Sequence, residues 1–176
     1  HLAGEIFAAL DRDRIETYAY SIGPDDGSPA RREAEGSFGS FRDLHAASDV
    51  DATAAIAADG LDLLVDLGGH VRWSRPGLLA RRPAPVQAAW LGYPGTCGAG
   101  FIYILIGDPI VSPPEHADWF TERVMCLPCY QPNRARFAQT SRLEKRAAGL
   151  PDRPVIAAFN NPRKWDRASV ELLFRL

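Results

Sequence analysis

An α/β protein built on a parallel sheet of Rossmann type is predicted by three observations. Short apolar runs alternate along the chain with helical patterns. The run at 61–67 is almost continuously apolar, as in a strand covered on both faces. Glycine-containing loops follow directly on two runs, at 68–70 and 92–98, where open α/β sheets place their ligands.

Taken in order, residues 2–10 carry Leu2, Ile6, Ala9 and Leu10 at helical spacing. A strand is predicted over 15–21, rich in Thr and Tyr, and a Gly/Pro/Asp loop over 23–29. A short helix at 31–35 and a short strand at 38–44 follow. Ser48 reads as the N-cap of an Ala-rich helix over 49–58, stopped by Gly60. The strand at 61–67 leads into Gly68-Gly69-His70, and Pro76 opens a helix within 75–82. Further strands are predicted at 86–91, 101–106 and 123–127, with a helical turn at 117–121. From 128 to 140 the pattern dissolves into Pro, Asn, Arg and Gln. Ser141 and Glu144 then form a capping box for a short helix ending at Gly149. A buried strand over 154–159, a loop over 160–165 and a helix capped by Asp166, with Val170, Leu173 and Phe174 on one face, close the chain.

The expected organisation is a Rossmann-like half over 1–130 lacking its first strand, a linker with a short helix over 131–150, and the opening of a second half over 151–176. The first residue is His1 and a helical pattern starts at once, so the 176 residues are expected to be a piece of a longer protein, truncated at both ends.

Composition narrows function. Hydrophobic residues make up 46% and charged residues 24%, the balance of a globular protein. A net charge of −2 draws in neither nucleic acid nor an anionic membrane. No apolar run approaches the roughly 20 residues a membrane span needs. Cys126 and Cys129 form C-x-x-C, but no second ligand pair stands near them in sequence, so no metal is expected. Reduced thiols in a cytoplasmic protein are the simpler reading.

The most informative stretch is 82–98. A stiff Pro83-Ala84-Pro85 leads into an apolar run, and the run ends in a loop holding Gly92, Gly95 and Gly98. Such a loop brings bare backbone N–H groups close to a ligand, although an ordinary tight turn looks the same in sequence. Lys164 lies between the last predicted strand and the Asp166 cap, where a phosphate would meet a helix N-terminus. The alternative is a solvated basic loop, Arg163-Lys164. His70 follows a strand end and a Gly-Gly turn, a fitting place for a general base, or for a loop histidine without a role.

Arg82-Pro-Ala-Pro-Val-Gln followed by Trp90-Leu-Gly-Tyr-Pro-Gly-Thr resembles the central signature of the protein O-linked N-acetylglucosamine transferases, glycosyltransferase family 41. Tyr20-Ser21, the run G-P-D-D-G at 23–27, Ala58 to Asp62, Leu127-Pro128 with Tyr130-Gln131-Pro132, and Phe159-Asn160-Asn161 with Lys164 fall in that family's order. The resemblance implies a two-domain fold of the GT-B type. It also implies metal-independent, inverting transfer of N-acetylglucosamine from UDP-GlcNAc, a substrate rather than a cofactor, to Ser or Thr hydroxyls of proteins. Tetratricopeptide repeats upstream would select the acceptors.

Residue by residue, the resemblance implies that Leu91 and Gly92 line the sugar pocket and that Tyr93, Pro94, Gly95 and Thr96 continue its wall. Asn161 and Lys164 would hold the diphosphate. The base usually assigned to the family lies in a loop ahead of residue 1, so the 176 residues alone are expected to be inactive. Histidine is common in the bacterial members at the place of His70. Gly92 is expected to be needed only for access to the pocket, so that Gly92→Val spares the fold. Where the family reads Met-Asp-Tyr, this chain has Ile102-Tyr103-Ile104. That departure supports the alternative, a degenerate transferase kept as a binding scaffold. Trp90 is expected in the core.

Overall fold

The computed structural model describes residues 3–131, 145, 147–157 and 161–175. The chain divides into two compact units, His1–Arg134 and Ala135–Leu176.

In the first unit the chain runs α1 (Gly4–Ala8), β1 (Tyr18–Ser21), α2 (Pro29–Gly36), β2 (Ser40–Asp43), α3 (Asp49–Ala58), β3 (Leu63–Asp66), α4 (Pro76–Ala80), β4 (Val86–Trp90), β5 (Ile104–Gly107), a 3-10 turn (Pro114–Trp119) and β6 (Arg123–Cys126). Strands β3-β4-β5-β6 form one parallel sheet in that order, and β1 pairs β2 in parallel. The parallel α/β class follows as predicted.

Local chemistry sets the helices. Ser48 is extended and its hydroxyl accepts from Asp51 N–H, while Asp49 and Asp51 place negative charge at the positive end of α3. Ala52 and Ile56, one turn apart, are the buried face of α3 and pack with Leu44 and Leu78. Ser28 caps α2 in the same way, with Pro29 in its first turn.

The core sits on β4. Gln87 through Trp90 are all buried, because the strand is flanked on both sides and covered on both faces. Gln87 is the polar member. Its amide donates to the Leu79 and Phe101 carbonyls and so ties the two chain segments that cover the strand. Trp90 packs with Leu91, Ala3 and Tyr130, and its indole N–H donates to the Tyr130 carbonyl.

Asp108, just after β5, accepts from the N–H groups of Ile110, Val111 and Tyr130. These bonds, with Val111 foremost, hold its carboxyl below the usual carboxylate range. A carboxyl with a depressed folded value stabilises the protein above its unfolded value near 3.9, and that stability is lost as pH falls through the folded value. Acid unfolding of the intact protein should therefore set in below about pH 4, and Asp108→Asn should flatten the slope there. An unchanged acid limb of the urea-midpoint profile would show that Asp108 does not carry it.

Two sequence expectations are corrected. The β5 strand was expected at 101–106 but starts at Ile104, because Ile102 N–H bonds back to the Ala99 carbonyl and turns the chain. Residues 154–157 form no strand; they pair with no other strand among the described residues, and 158–160 lie outside them. The helix expected from 141 falls largely outside the described residues. Among the described residues there, Leu150 N–H reaches the Lys145 carbonyl around Gly149 at φ 69°.

In the second unit, Pro162–Lys164 form a 3-10 turn and α5 spans Arg167–Leu173. Asn161 Oδ1 accepts from Arg163 N–H, and Asp166 accepts from Ser169 N–H as the predicted cap. On α5 Val170 is partly buried, whereas Leu173 and Phe174 are exposed.

Between β1 and β3 the two sheets leave a cavity of about 1110 Å³. Tyr18, Tyr20, Leu64, Val65, Phe7 and Ile106 are among the side chains that line it.

Candidate functional site

The site grows from the carboxyl ends of two adjoining parallel strands, β3 and β4. At the end of β3, the Asp66 carboxylate accepts from Gly68 N–H at 3.0 Å and Gly69 N–H at 2.8 Å. This pins the turn that presents His70. At the end of β4, Gly92 N–H bonds the Trp90 carbonyl at 3.0 Å around Leu91 at φ 78°. That is a γ-turn of the rare positive-φ form, a strained geometry for a branched residue.

The two loops interlock through glycines. A Cβ on Gly92 would stand 2.2 Å from the Leu67 carbonyl oxygen, and one on Gly69 would stand 2.7 Å from Tyr93 Cβ. Only hydrogen allows both approaches.

His70 meets Tyr93 edge-on, with ring centroids 5.2 Å apart. Its Nε2 lies 3.0 Å from the Cys97 carbonyl oxygen. A carbonyl only accepts, so Nε2 carries the hydrogen, and in the neutral ring the lone pair is then on Nδ1. His70 itself is exposed.

Thr96 and Cys97 are anchored from across the sheet. Glu122, 4% exposed, accepts from the Thr96 hydroxyl and from Cys97 N–H, each at 2.8 Å. The Cys97 thiol is pushed up to about 11 from 9.0, by burial first and then by the Glu122 charge. A shift of that size lowers the thiolate fraction on the order of 100-fold near neutral pH. In the intact protein, iodoacetamide should therefore label the exposed Cys126 and Cys129 well before Cys97. Equal labelling rates by peptide mass spectrometry would overturn this.

The structure thus brings His70, Gly92, Tyr93, Gly95 and Thr96 together, with the Tyr93 ring against Gly95. Pro94 is exposed in the same loop. Two expectations change. The Leu91 side chain is buried against Trp90 and Tyr130 and so does not face the loop surface. The one hydroxyl hydrogen of Thr96 is spent on Glu122, which makes Thr96 a brace of the wall. Asp66, Cys97 and Glu122 were not singled out by sequence reasoning. The Asp before Gly-Gly carried a local signal, whereas Glu122 acts 25 residues away from Cys97.

The space enclosed between the two loops is about 20 Å³. Small-molecule pockets hold roughly 300–1,000 Å³, so these loops supply a wall and not a whole pocket. In the second unit, Asn161 and Lys164 are exposed, and the Lys164 ammonium has no ion pair among the described residues. Among those residues no cluster of three or more metal-ligating side chains occurs. No helix there is long and apolar enough to cross a membrane.

Tyr103 stands at the sequence departure. It directly precedes β5, and the Arg82 guanidinium lies 5.5 Å from its ring centroid. The contact is of the cation–π kind.

A Rossmann-like parallel sheet with interlocked glycine loops at the ends of β3 and β4 defines an α/β protein of the class whose ligand sites lie at the carboxyl ends of strands. The chain belongs to glycosyl transferase family 41, whose model matches residues 1–132. It is 31% identical over 174 residues to the probable UDP-N-acetylglucosamine–peptide N-acetylglucosaminyltransferase SEC of Arabidopsis thaliana, a match covering 94% of this chain and 18% of that protein. It is 36% identical over 129 residues to the UDP-N-acetylglucosamine–peptide N-acetylglucosaminyltransferase of Caenorhabditis elegans, covering 73% of this chain and 11% of that protein. In three dimensions it matches the O-GlcNAc transferase of Thermobaculum terrenum, solved as a lysine-to-methionine variant, with a TM-score of 0.71 and 32% identity. That match covers 74% of this chain and 25% of the other, and it supports the GT-B type predicted. The chain therefore spans a quarter or less of the proteins it matches.

Proposed function

We propose that the chain is part of the catalytic region of a transferase that moves N-acetylglucosamine from UDP-GlcNAc to Ser or Thr hydroxyls of proteins. The observation that carries this is the His70–Tyr93–Cys97 cluster at the carboxyl ends of β3 and β4, in a chain of this family. In this reading Gly92 to Thr96 form a wall of the sugar site, and Asn161 and Lys164 hold the diphosphate. The acceptor oxygen attacks the anomeric carbon as the bond to the diphosphate breaks, with inversion and without a metal. The acceptor proton leaves to a base, and the leaving diphosphate keeps the electron pair. The Nε2 contact of His70 with the Cys97 carbonyl supports reading its Nδ1 as that base. Protein acceptors chosen by tetratricopeptide repeats upstream, and a cytoplasmic location matching the free cysteines, complete the reading. Calorimetric titration of the intact protein with UDP should show stoichiometric binding; a flat titration would sink the proposal.

The domain organisation belongs to the same proposal. With the cavity between β1 and β3, the strand order β2-β1-gap-β3-β4-β5-β6 is that of a doubly wound sheet whose first strand is left out. We place in that gap a parallel strand leading into α1. The Thr17 and Ser21 carbonyls serve β2, so by alternation the main-chain groups of Tyr18 and Tyr20 face the gap. In the intact protein the Tyr18 and Tyr20 amides should exchange hydrogen slowly. Exchange as fast as that of a bare sheet edge would refute the filled gap.

A further inference from the structure

Glu122 lies outside both glycine loops, yet it controls the geometry on which His70 depends. Its two carboxylate oxygens are both committed, one to Cys97 N–H and one to the Thr96 hydroxyl. Having given its hydrogen to Glu122, the Thr96 oxygen is free to accept, and it takes Gly98 N–H at 3.0 Å and Thr121 N–H at 3.2 Å. The two peptide units flanking Cys97 are thereby locked, one by Glu122 directly and one through Thr96. The second unit contains Gly98 N–H at one end and the Cys97 carbonyl at the other. A planar trans peptide points these groups in opposite directions, so fixing the N–H aims the carbonyl. The carbonyl is aimed at Nε2 of His70. Gly98 takes φ 64° just beyond, which completes the turn.

We propose that Glu122 is a positioning residue which, through Thr96 and the Cys97 carbonyl, holds His70 in the Nε2–H tautomer with Nδ1 free as proton acceptor. The link to turnover rests on the reading of His70 given under the proposed function; the link to the tautomer does not.

Glutamine is the informative replacement, because it keeps the shape and removes one acceptor. If its oxygen serves Cys97 N–H, its NH2 faces the Thr96 oxygen as a donor. The Thr96 hydroxyl then has to turn its hydrogen elsewhere, and Gly98 N–H competes for the same lone pairs. The Cys97 carbonyl loses its fixed direction.

The test is nitrogen-15 NMR of His70 in the intact protein. In the parent, the two ring nitrogens should give the well-separated signals of a single Nε2–H tautomer. In Glu122→Gln they should move toward each other as the tautomers mix. Thr96→Val should do the same, and Thr96→Ser, which restores the hydroxyl, should return the parental signals. A folded Glu122→Gln or Thr96→Val protein with unchanged His70 signals overturns the inference. In parallel, kcat of Glu122→Gln should fall by up to about 100-fold, the share of a positioned base, with donor KM little changed. His70→Ala separates the two readings. If it keeps full kcat, the catalytic reading of His70 fails while the tautomer result stands. If Glu122→Gln leaves the signals unmoved, the Glu122 inference fails whatever His70→Ala does.

Discussion

Gly92→Ala is expected to destabilise the first unit severely, and Gly92→Val to leave it unfolded. The added Cβ would stand 2.2 Å from the Leu67 carbonyl oxygen and 3.1 Å from that of Gly68. Both obstacles are backbone atoms, which cannot rotate aside as a side chain could. They belong to the segment that leaves β3, whose Asp66 is tied to the Gly68 and Gly69 amides. On the other side, Gly92 N–H is committed to the Trp90 carbonyl around a strained Leu91. Neither loop has slack, so relief requires parting the ends of β3 and β4. Overpacking of a close-packed site costs about 1–3 kcal/mol when side chains can adjust. With backbone on both sides the cost should reach at least about 3 kcal/mol, the top of that range. This reverses the expectation that Gly92 serves access alone. Urea unfolding of the intact protein measures it. A Gly92→Ala midpoint shifted by no more than about 0.5 kcal/mol, the scale of a surface change, would return Gly92 to a role in the pocket only.

Gly92 shows where sequence reading stops. Its importance was legible from the run Trp90-Leu91-Gly92, but the reason was not, since the Leu67 carbonyl lies 25 residues earlier and arrives only when β3 and β4 pair. Local chemistry was read well. Ser48, Gly60 and Asp166 act within one turn of their own position, and each does what its type predicts. The apolar run at 86–91 identified the central strand, because burial on both faces leaves no alternation to misread. The run at 101–106 misled by the same logic: Phe101 and Ile102 are packed in the core, but as a turn rather than a strand. Hydrophobicity reports burial, and it does not say whether the buried residue sits in a ladder. Glu122 was invisible for the opposite reason. A buried carboxylate is identified by its partners, and those partners lie across the sheet.

Lys164→Ala should lower turnover sharply and leave folding untouched. The two properties separate here because Lys164 takes no part in holding its surroundings. It is exposed, and its ammonium has no ion pair among the described residues. Its main-chain N–H bonds the Asn161 carbonyl at 2.9 Å, a contact alanine keeps. The turn depends on Asn161 Oδ1, and the start of α5 on Asp166, so neither cap is disturbed. What alanine removes is one mobile positive charge. In the proposed reaction, negative charge on the leaving diphosphate grows as its bond to the sugar breaks. A cation placed there binds the transition state more tightly than the donor. Losing one such donor should raise the barrier by about 2–4 kcal/mol. That corresponds to a fall in kcat of roughly 30- to 1,000-fold. The dissociation constant of UDP-GlcNAc should change much less, because the ground state asks less of the charge. Lys164→Arg should recover part of the rate, since it keeps the charge but exchanges a compact ammonium for a planar fork. Single-turnover kinetics on the intact protein separate chemistry from binding. An Ala variant with parental kcat would remove Lys164 from the reaction. A matching loss in donor affinity alone would make it a binding residue that does not act on the chemical step.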